Sequence, residues 1–503
     1  MAVLVRTPIA RLVSLAALAC AAGSSHAAFE FVGMGSLDAT SDLSGLTGSL
    51  ENGNAANILG GMGSGFAWAG GNTYLALPDR GPNATSYTNG AAVDNTTSYI
   101  ARFNTVSMSV SSAPSTLPTG TSVPYTVTPT LQSTTLLWSS TPLNYGSTAG
   151  LASGVPTQNT AGKYYFTGRS DGFAAGSSSN PNNARLDPES IRVSADGKSV
   201  FISDEYGPYV YQFNRQTGER TRTFSLPNDF AIANQYAIGG ALASKTAAAS
   251  GEIGLNSSGR VANKGMEGLA ISPDGRTLYG IMQSALIQDG GDKNGKTNRI
   301  VQIDIASGAV KEFAVSNLIN GTSYNNSELV AINDHTLAFL PRDGKGLGDG
   351  TSAVVKQVWA IDLSKATDAN DITGMTADAT TGVFTGKQLL DKSMMFDIVA
   401  MLKAAGFKDT EIPSKLEGIS FGPDVDGYHI MYVTNDNDFV PGTAGGNRQY
   451  MFRFKDSDLN AITFSNGQGI GALQMQAVPE PSTYALGLSA LAVLGGVARR
   501  RRG

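Results

Sequence analysis

Acidic residues stand at both ends of a short unit that recurs along this chain. Glu189 opens such a unit and Asp204 closes it, with an Asp-Gly pair midway. Glu267 opens a second, ending at Met282-Gln283; Glu328 opens a third, ending at Asp343; Glu417 opens a fourth, ending at Asp436. An earlier variant has Ser64 at its start and Asp79 at its end. Carboxylates brought together repel one another unless a cation or basic side chains lie between them. Hard divalent cations with all-oxygen ligand sets, Ca²⁺ above all, suit such a group. Basic residues accompany the acids: Arg80 follows Asp79, Arg185 and Lys264 precede Glu189 and Glu267, Arg342 adjoins Asp343, and Lys415 precedes Glu417. Carboxylates with Lys and Arg form a site that can hold an anionic ester through metal and guanidinium together.

The segments between these ends must position them. Each is rich in Val, Ile, Leu, Phe and Tyr and is broken by Asp-Gly, Gly-Asn or a longer polar turn, which reads as strand, tight turn, strand. Residues equidistant from a hairpin turn face each other across the ladder, so Glu189 is expected opposite Asp204, Glu328 opposite Asp343, and Ser64 opposite Asp79. Copies of such hairpins around an axis bring every open end to one face. The expectation is an all-β fold, a β-propeller of six or seven blades with loop and short helical insertions. Its rim would gather Asp79, Glu189, Asp204, Glu267, Glu328, Asp343, Glu417 and Asp436 as metal ligands. Arg80, Lys264, Arg342 and Lys415 would bind substrate. Glu205, or else Glu189, would accept a proton from water.

The segments Leu186-Asp187-Pro188-Glu189, Ser203-Asp204-Glu205-Tyr206-Gly207-Pro208, Lys264-Gly265-Met266-Glu267-Gly268 and Lys415-Leu416-Glu417-Gly418, with Asp79-Arg80-Gly81-Pro82, resemble the phytase-like family, also described as esterase-like activity of phytase. The resemblance covers roughly residues 60–454. It implies an architecture related to the calcium-dependent β-propeller phytases, in which calcium on one propeller face binds substrate phosphate and activates water. The chain departs from an all-acid pattern at Met282-Gln283. The function expected is a calcium-dependent phosphoric ester hydrolase. The alternatives are a non-catalytic matrix or ligand-binding propeller, or a lactonase-like metal hydrolase.

Composition narrows the rest. The lone cysteine, Cys20, excludes a disulfide scaffold, and three histidines leave few positions for a histidine-based zinc site. Residues 1–27 read as a secretory leader, with Arg6 and Arg11, an apolar stretch over 12–22, and Ser25-His26-Ala27 before the cleavage point. The propeller domain is assigned to 28–477. Residues 478–503 carry Val478-Pro479-Glu480-Pro481, an apolar run over 484–498 and four arginines, Arg499 to Arg502. This tail resembles the PEP-CTERM sorting signal of Gram-negative bacteria, which implies exosortase as a partner, transient membrane association through the tail, and export to the envelope or extracellular matrix. With the two leader arginines, the four tail arginines and Glu480 set aside, 30 basic and 40 acidic residues remain, and a net charge of −10 argues against nucleic acid.

Four further stretches carry local signals. Gly168-Arg169-Ser170-Asp171-Gly172 has the spacing of a nucleophile elbow, but the Gly/Ser/Asn-rich continuation cannot make the helix that motif requires. The Asp289-Gly290-Gly291-Asp292-Lys293-Asn294 loop lacks EF-hand spacing and reads as solvated. Residues 387–407 predict an amphipathic helix, and residues 111–148 predict extended loops or irregular outer strands.

Overall fold

The protein was analysed as a computed structural model that describes residues 29–83, 96–145, 155–169, 177–235, 252–291 and 294–479. The leader, and the Ser170–Gly172 part of the elbow-like motif, lie outside the described residues.

Five four-stranded antiparallel sheets form the body. Blade 1 comprises Gly65–Trp68, Thr73–Leu77, Arg102–Ser111 and Thr126–Leu136; blade 2 comprises Pro188–Val193, Ser199–Asp204, Tyr209–Asn214 and Arg220–Ser225. Blade 3 comprises Met266–Ile271, Thr277–Met282, Thr297–Asp304 and Val310–Ser316; blade 4 comprises Asn325–Ala331, Thr336–Arg342, Gln357–Asp362 and Lys392–Asp397. Blade 5 takes Leu416–Val425, Tyr428–Asn435 and Asn447–Phe454 from the C-terminal part of the chain, and its outermost strand, Glu30–Leu37, from the N-terminal part. The innermost strands touch in sequence, each with the next, and that of blade 5 returns to blade 1, so the ring is closed. The fold is the expected β-propeller. It closes with five sheets rather than six or seven because long insertions between strands take up chain that the sequence period had assigned to further blades.

Packing accounts for the apolar runs. A propeller sheet is covered on both faces by its neighbours, so its inner strands need no polar alternation. Pro188–Val193 and Met266–Ile271 are buried at every position. Each seam between blades holds its own apolar cluster. Leu75 and Leu77 meet Ile191 and Ile202; Phe201 and Val210 meet Leu269 and Leu278; Ile281 and Phe313 meet Leu329 and Phe339; Leu340 and Val358 meet Ile419 and Phe452; Tyr432 and Met451 meet Phe66 and Val106.

Two local expectations change. The helix predicted over 387–407 is a strand followed by a shorter helix, Ile398–Ala404, whose cap is Asp397: its side chain accepts the Ala400 N–H. The first half of that stretch pairs with Gln357–Asp362 as the edge of blade 4, a tertiary demand that overrides helical periodicity. Residues 111–148 do supply an outer strand, Thr126–Leu136 of blade 1.

Candidate functional site

A one-residue β-bulge interrupts the innermost strand in four of the five blades, and in three of them the first bulged residue is a glutamate. Register slips between Pro188 and Ile191, Met266 and Gly268, Asn326 and Leu329, and Leu416 and Ile419. A bulge kinks its strand and re-aims a side chain. It also moves the hairpin partners: Pro188, not Glu189, lies opposite Asp204, and Asn325 and Asn326 lie opposite Arg342 and Pro341. By position relative to the bulge, Glu189, Glu267 and Glu417 are equivalent, and their counterpart in blade 4 is Ser327. One residue beyond the position that faces the start of each bulge on the second strand, Glu205, Gln283, Arg342 and Asp436 are likewise equivalent.

These side chains meet at the open end of the hairpins through bonds that cross from blade to blade. Arg80, after the second strand of blade 1, donates from Nη1 to Asp187 Oδ2 at 2.8 Å and from its backbone N–H to Asp187 Oδ1 at 3.0 Å. Its guanidinium is 4.0 Å from Glu205. Glu205, after the second strand of blade 2, accepts from the Gly265 N–H ahead of blade 3 at 3.2 Å. A glycine is required there, because a Cβ on residue 265 would fall 2.1 Å from the Glu205 carbonyl oxygen. Gln283 Nε2 donates to Glu267 at 2.7 Å. Arg342 pairs with Glu417 of the next blade, lies 3.8 Å from Glu267, and donates from Nε to Ser327 Oγ. Lys415 bridges Asp436 at 2.8 Å and Asp438 at 2.5 Å. Asp79 accepts the Gly81 N–H. Two groups of three carboxylates have ligand atoms within 4.8 Å of one another: Asp187, Glu189 and Glu205, and Asp79, Asp436 and Asp438.

Electrostatics mark the site as over-supplied with acid. Asp79, Asp187, Glu189, Glu205, Glu267, Glu417 and Asp436 are all buried, against the buried Arg80, Arg342 and Arg260 and the partly exposed Lys415. Burial, then Glu267 and Asp187, raise Glu189; burial, then Glu205 and Glu417, raise Glu267; burial, then Asp436, raise Asp79. Burial, then Asp187, push Glu205 up to about 8, and burial lifts Asp436 to about 6 despite Lys415. Asp187, though buried, is held below the ordinary range by Arg80. Glu205 Oε2 and Glu267 Oε2 are buried without a hydrogen-bond partner. Such orphaned carboxylate oxygens are costly in a dry interior, and they fit a hard cation.

The remaining predicted residues are placed as follows. Asp204 is buried beneath the site and shapes the turn: Oδ1 accepts the N–H groups of Asp187 and Tyr206, and burial raises its carboxyl to about 7. Lys264 is half-exposed on the loop that leads to Gly265. Glu328 and Asp343 stand apart from the carboxylate groups. Glu328 is one residue beyond the bulge position and points into the central channel, where its Oε1 is 3.1 Å from Arg192 and accepts from Ser190 Oγ at 2.7 Å. Asp343 pairs with the buried Lys356 and accepts the Val354 and Val355 N–H groups. Asp289, read as part of a solvated loop, is buried against Arg299. Asp187, Asp438 and Ser327 were not among the predicted site residues. Asp187 immediately precedes Pro188-Glu189, and Asp438 stands two residues from Asp436, so both had a local signal. Ser327 had none, since only the bulge reveals its equivalence.

A curated relative, an uncharacterised secreted protein of Arthroderma benhamiae, is 37% identical over 146 residues, and the match spans 27% of each chain. Solved structures with a similar fold include a periplasmic gluconolactonase of Pseudomonas aeruginosa (11% identity, 90% of this chain and 98% of that one, TM-score 0.29) and a hydrazine synthase of Kuenenia stuttgartiensis (11%, 76% and 94%, 0.29). The PEP-CTERM protein-sorting motif matches residues 477–502, which marks the chain for exosortase processing and export to the cell envelope or beyond. The description "Phytase-like: Esterase-like activity of phytase" matches residues 57–439, which contain every carboxylate of the site, and the chain belongs to this phytase-like family.

Proposed function

We propose that the blade-end site binds calcium and hydrolyses a phosphoric ester. The observation that carries this reading is the buried surplus of carboxylates, two of them with an orphaned oxygen, over the cations among them: the buried Arg80, Arg342 and Arg260, the last shared with Glu252, and the partly exposed Lys415. Asp187, Glu189 and Glu205 would hold one ion, and Asp79, Asp436 and Asp438 a second, with Glu267 and Glu417 completing the negative wall. Calcium there would supply charge neutralisation for the ester and acidify water. The chain's own residues do the rest. Arg80, Arg342 and Lys415 surround the carboxylates and, once those are shared with a cation, offer N–H donors to phosphate oxygens. Lys264, half-exposed beside them, meets the ester from the solvent side. Glu205 Oε2, which accepts no hydrogen bond and lies 4.0 Å from Arg80, would take a proton from attacking water once a cation keeps the carboxylate ionised. The test is turnover of a panel of phosphate monoesters, and of lactones as the competing class, by purified protein with calcium and with chelator. Calcium-dependent release of phosphate is expected. Calcium uptake with no turnover of any substrate would make the protein a binding module, and turnover of lactones alone would make it a lactonase.

A further inference from the structure

The central channel has a second mouth, at the hairpin turns on the side away from the carboxylates. All five innermost strands contribute to its wall, among them Ala67, Arg192, Ile271, Val330 and Phe421. The C-terminal segment lies across it. It is fastened to blade 4, where Asn333 Nδ2 donates to the carbonyls of Ile470 and Ala472 and the Gln474 N–H donates to Ile332 O at 2.7 Å. It then crosses the mouth, with Met475, Gln476 and Val478 lining the opening. On the far side, with its amide turned so that both of its groups are satisfied, Gln476 donates to Val193 O at 3.2 Å and accepts the Ala195 N–H at 2.7 Å. Val478 packs on the seam of blades 1 and 2.

The sorting motif begins at residue 477, so its first residues are part of this strap and no slack separates it from the body. Only five residues, 479–483, stand between Val478 and the apolar run. Fully extended, they reach ~17 Å. An innermost strand of six residues spans ~20 Å, and the carboxylate site lies at its other end.

We infer that the strap fixes the orientation of the tail-held protein: the turn face abuts the membrane and the exosortase, and the carboxylate site faces away from both. The inference rests on the tail run being inserted in a bilayer. The chain's single cysteine, replaced as Cys20→Ser, leaves a background for labels. Lys198→Cys and Arg276→Cys place a fluorophore on exposed turns of the strap face; Lys345→Cys and Val440→Cys place one on the site face. The full chain is reconstituted in phosphatidylethanolamine/phosphatidylglycerol vesicles containing nitroxide-headgroup lipid. Severalfold stronger quenching at 198 and 276 than at 345 and 440 is expected. Equal quenching on both faces, or the reverse order, overturns the inference. Failure of the protein to float with the vesicles overturns the membrane premise instead, and the orientation with it. A Gln476→Ala/Val478→Asp chain that keeps its far-ultraviolet spectrum should lose the contrast; if it keeps it, the strap does not set the orientation.

Discussion

At the scale of the residue, chemistry is decided by which carboxylates have partners. Asp343 is satisfied by Lys356 and backbone N–H groups, whereas Glu205 keeps a buried oxygen free. The two should separate in a calcium titration. Glu205→Gln is expected to weaken calcium binding by about tenfold or more, ~1.4 kcal/mol, measured by calorimetry. Asp343→Asn should leave calcium affinity unchanged and lower stability, because it leaves the buried Lys356 ammonium without its charge partner. Equal losses of affinity in both variants would refute the assignment of the site. Lys415 and Arg342 show why basic residues beside acids in sequence mislead. Arg342 pairs with Glu417, 75 positions away, and not with the adjacent Asp343.

At the scale of the element, the bulge is the device that builds the site. It turns Glu189, Glu267 and Glu417 toward the common mouth, while Glu328, one residue further on, enters the channel and meets Arg192. Arg192 also donates to carbonyls of Phe66, Leu329 and Ile419, so one guanidinium ties four blades at the axis. Burial pushes Glu328 up to about 7. Its folded form therefore retains a proton that the unfolded chain has already lost, and its contribution to stability falls as pH rises from about 4.5 to about 7, by roughly 3 kcal/mol in all. Urea denaturation at several pH values should show that slope in the native chain and a shallower one in Glu328→Gln. Parallel slopes would mean that Glu328 titrates normally.

At the scale of the whole molecule, closure depends on the two ends of the chain. Glu30–Leu37 is the outer strand of a sheet otherwise built from residues 416–454, and its pairing with Asn447–Phe454 joins the first blade to the last. A chain lacking residues 29–37 exposes that edge and the apolar face of Phe452 and Phe454. It is expected to aggregate, as read by size-exclusion chromatography; a monomeric, fully folded truncation would contradict this. Ligand linkage acts on the same scale. At a hundredfold excess over its dissociation constant, calcium should stabilise the fold by about 2.7 kcal/mol relative to chelator, seen as a higher thermal midpoint, and Glu205→Gln should show less of that gain.

The hairpin units, their polar ends and the C-terminal sorting motif were legible from residue order, because turn chemistry and apolar runs are local properties. Radial closure was legible only as a class. Blade number depends on how much chain the insertions absorb, and a repeat broken by loops does not report that. The partnering of charges was decided by tertiary structure alone. A single inserted residue in four of the five inner strands shifts the ladder by one position and rotates the next side chain to another direction, so a glutamate there becomes either a site carboxylate or a channel plug. No spacing along the sequence distinguishes Glu417 from Glu328; the bulge between Asn326 and Leu329 does.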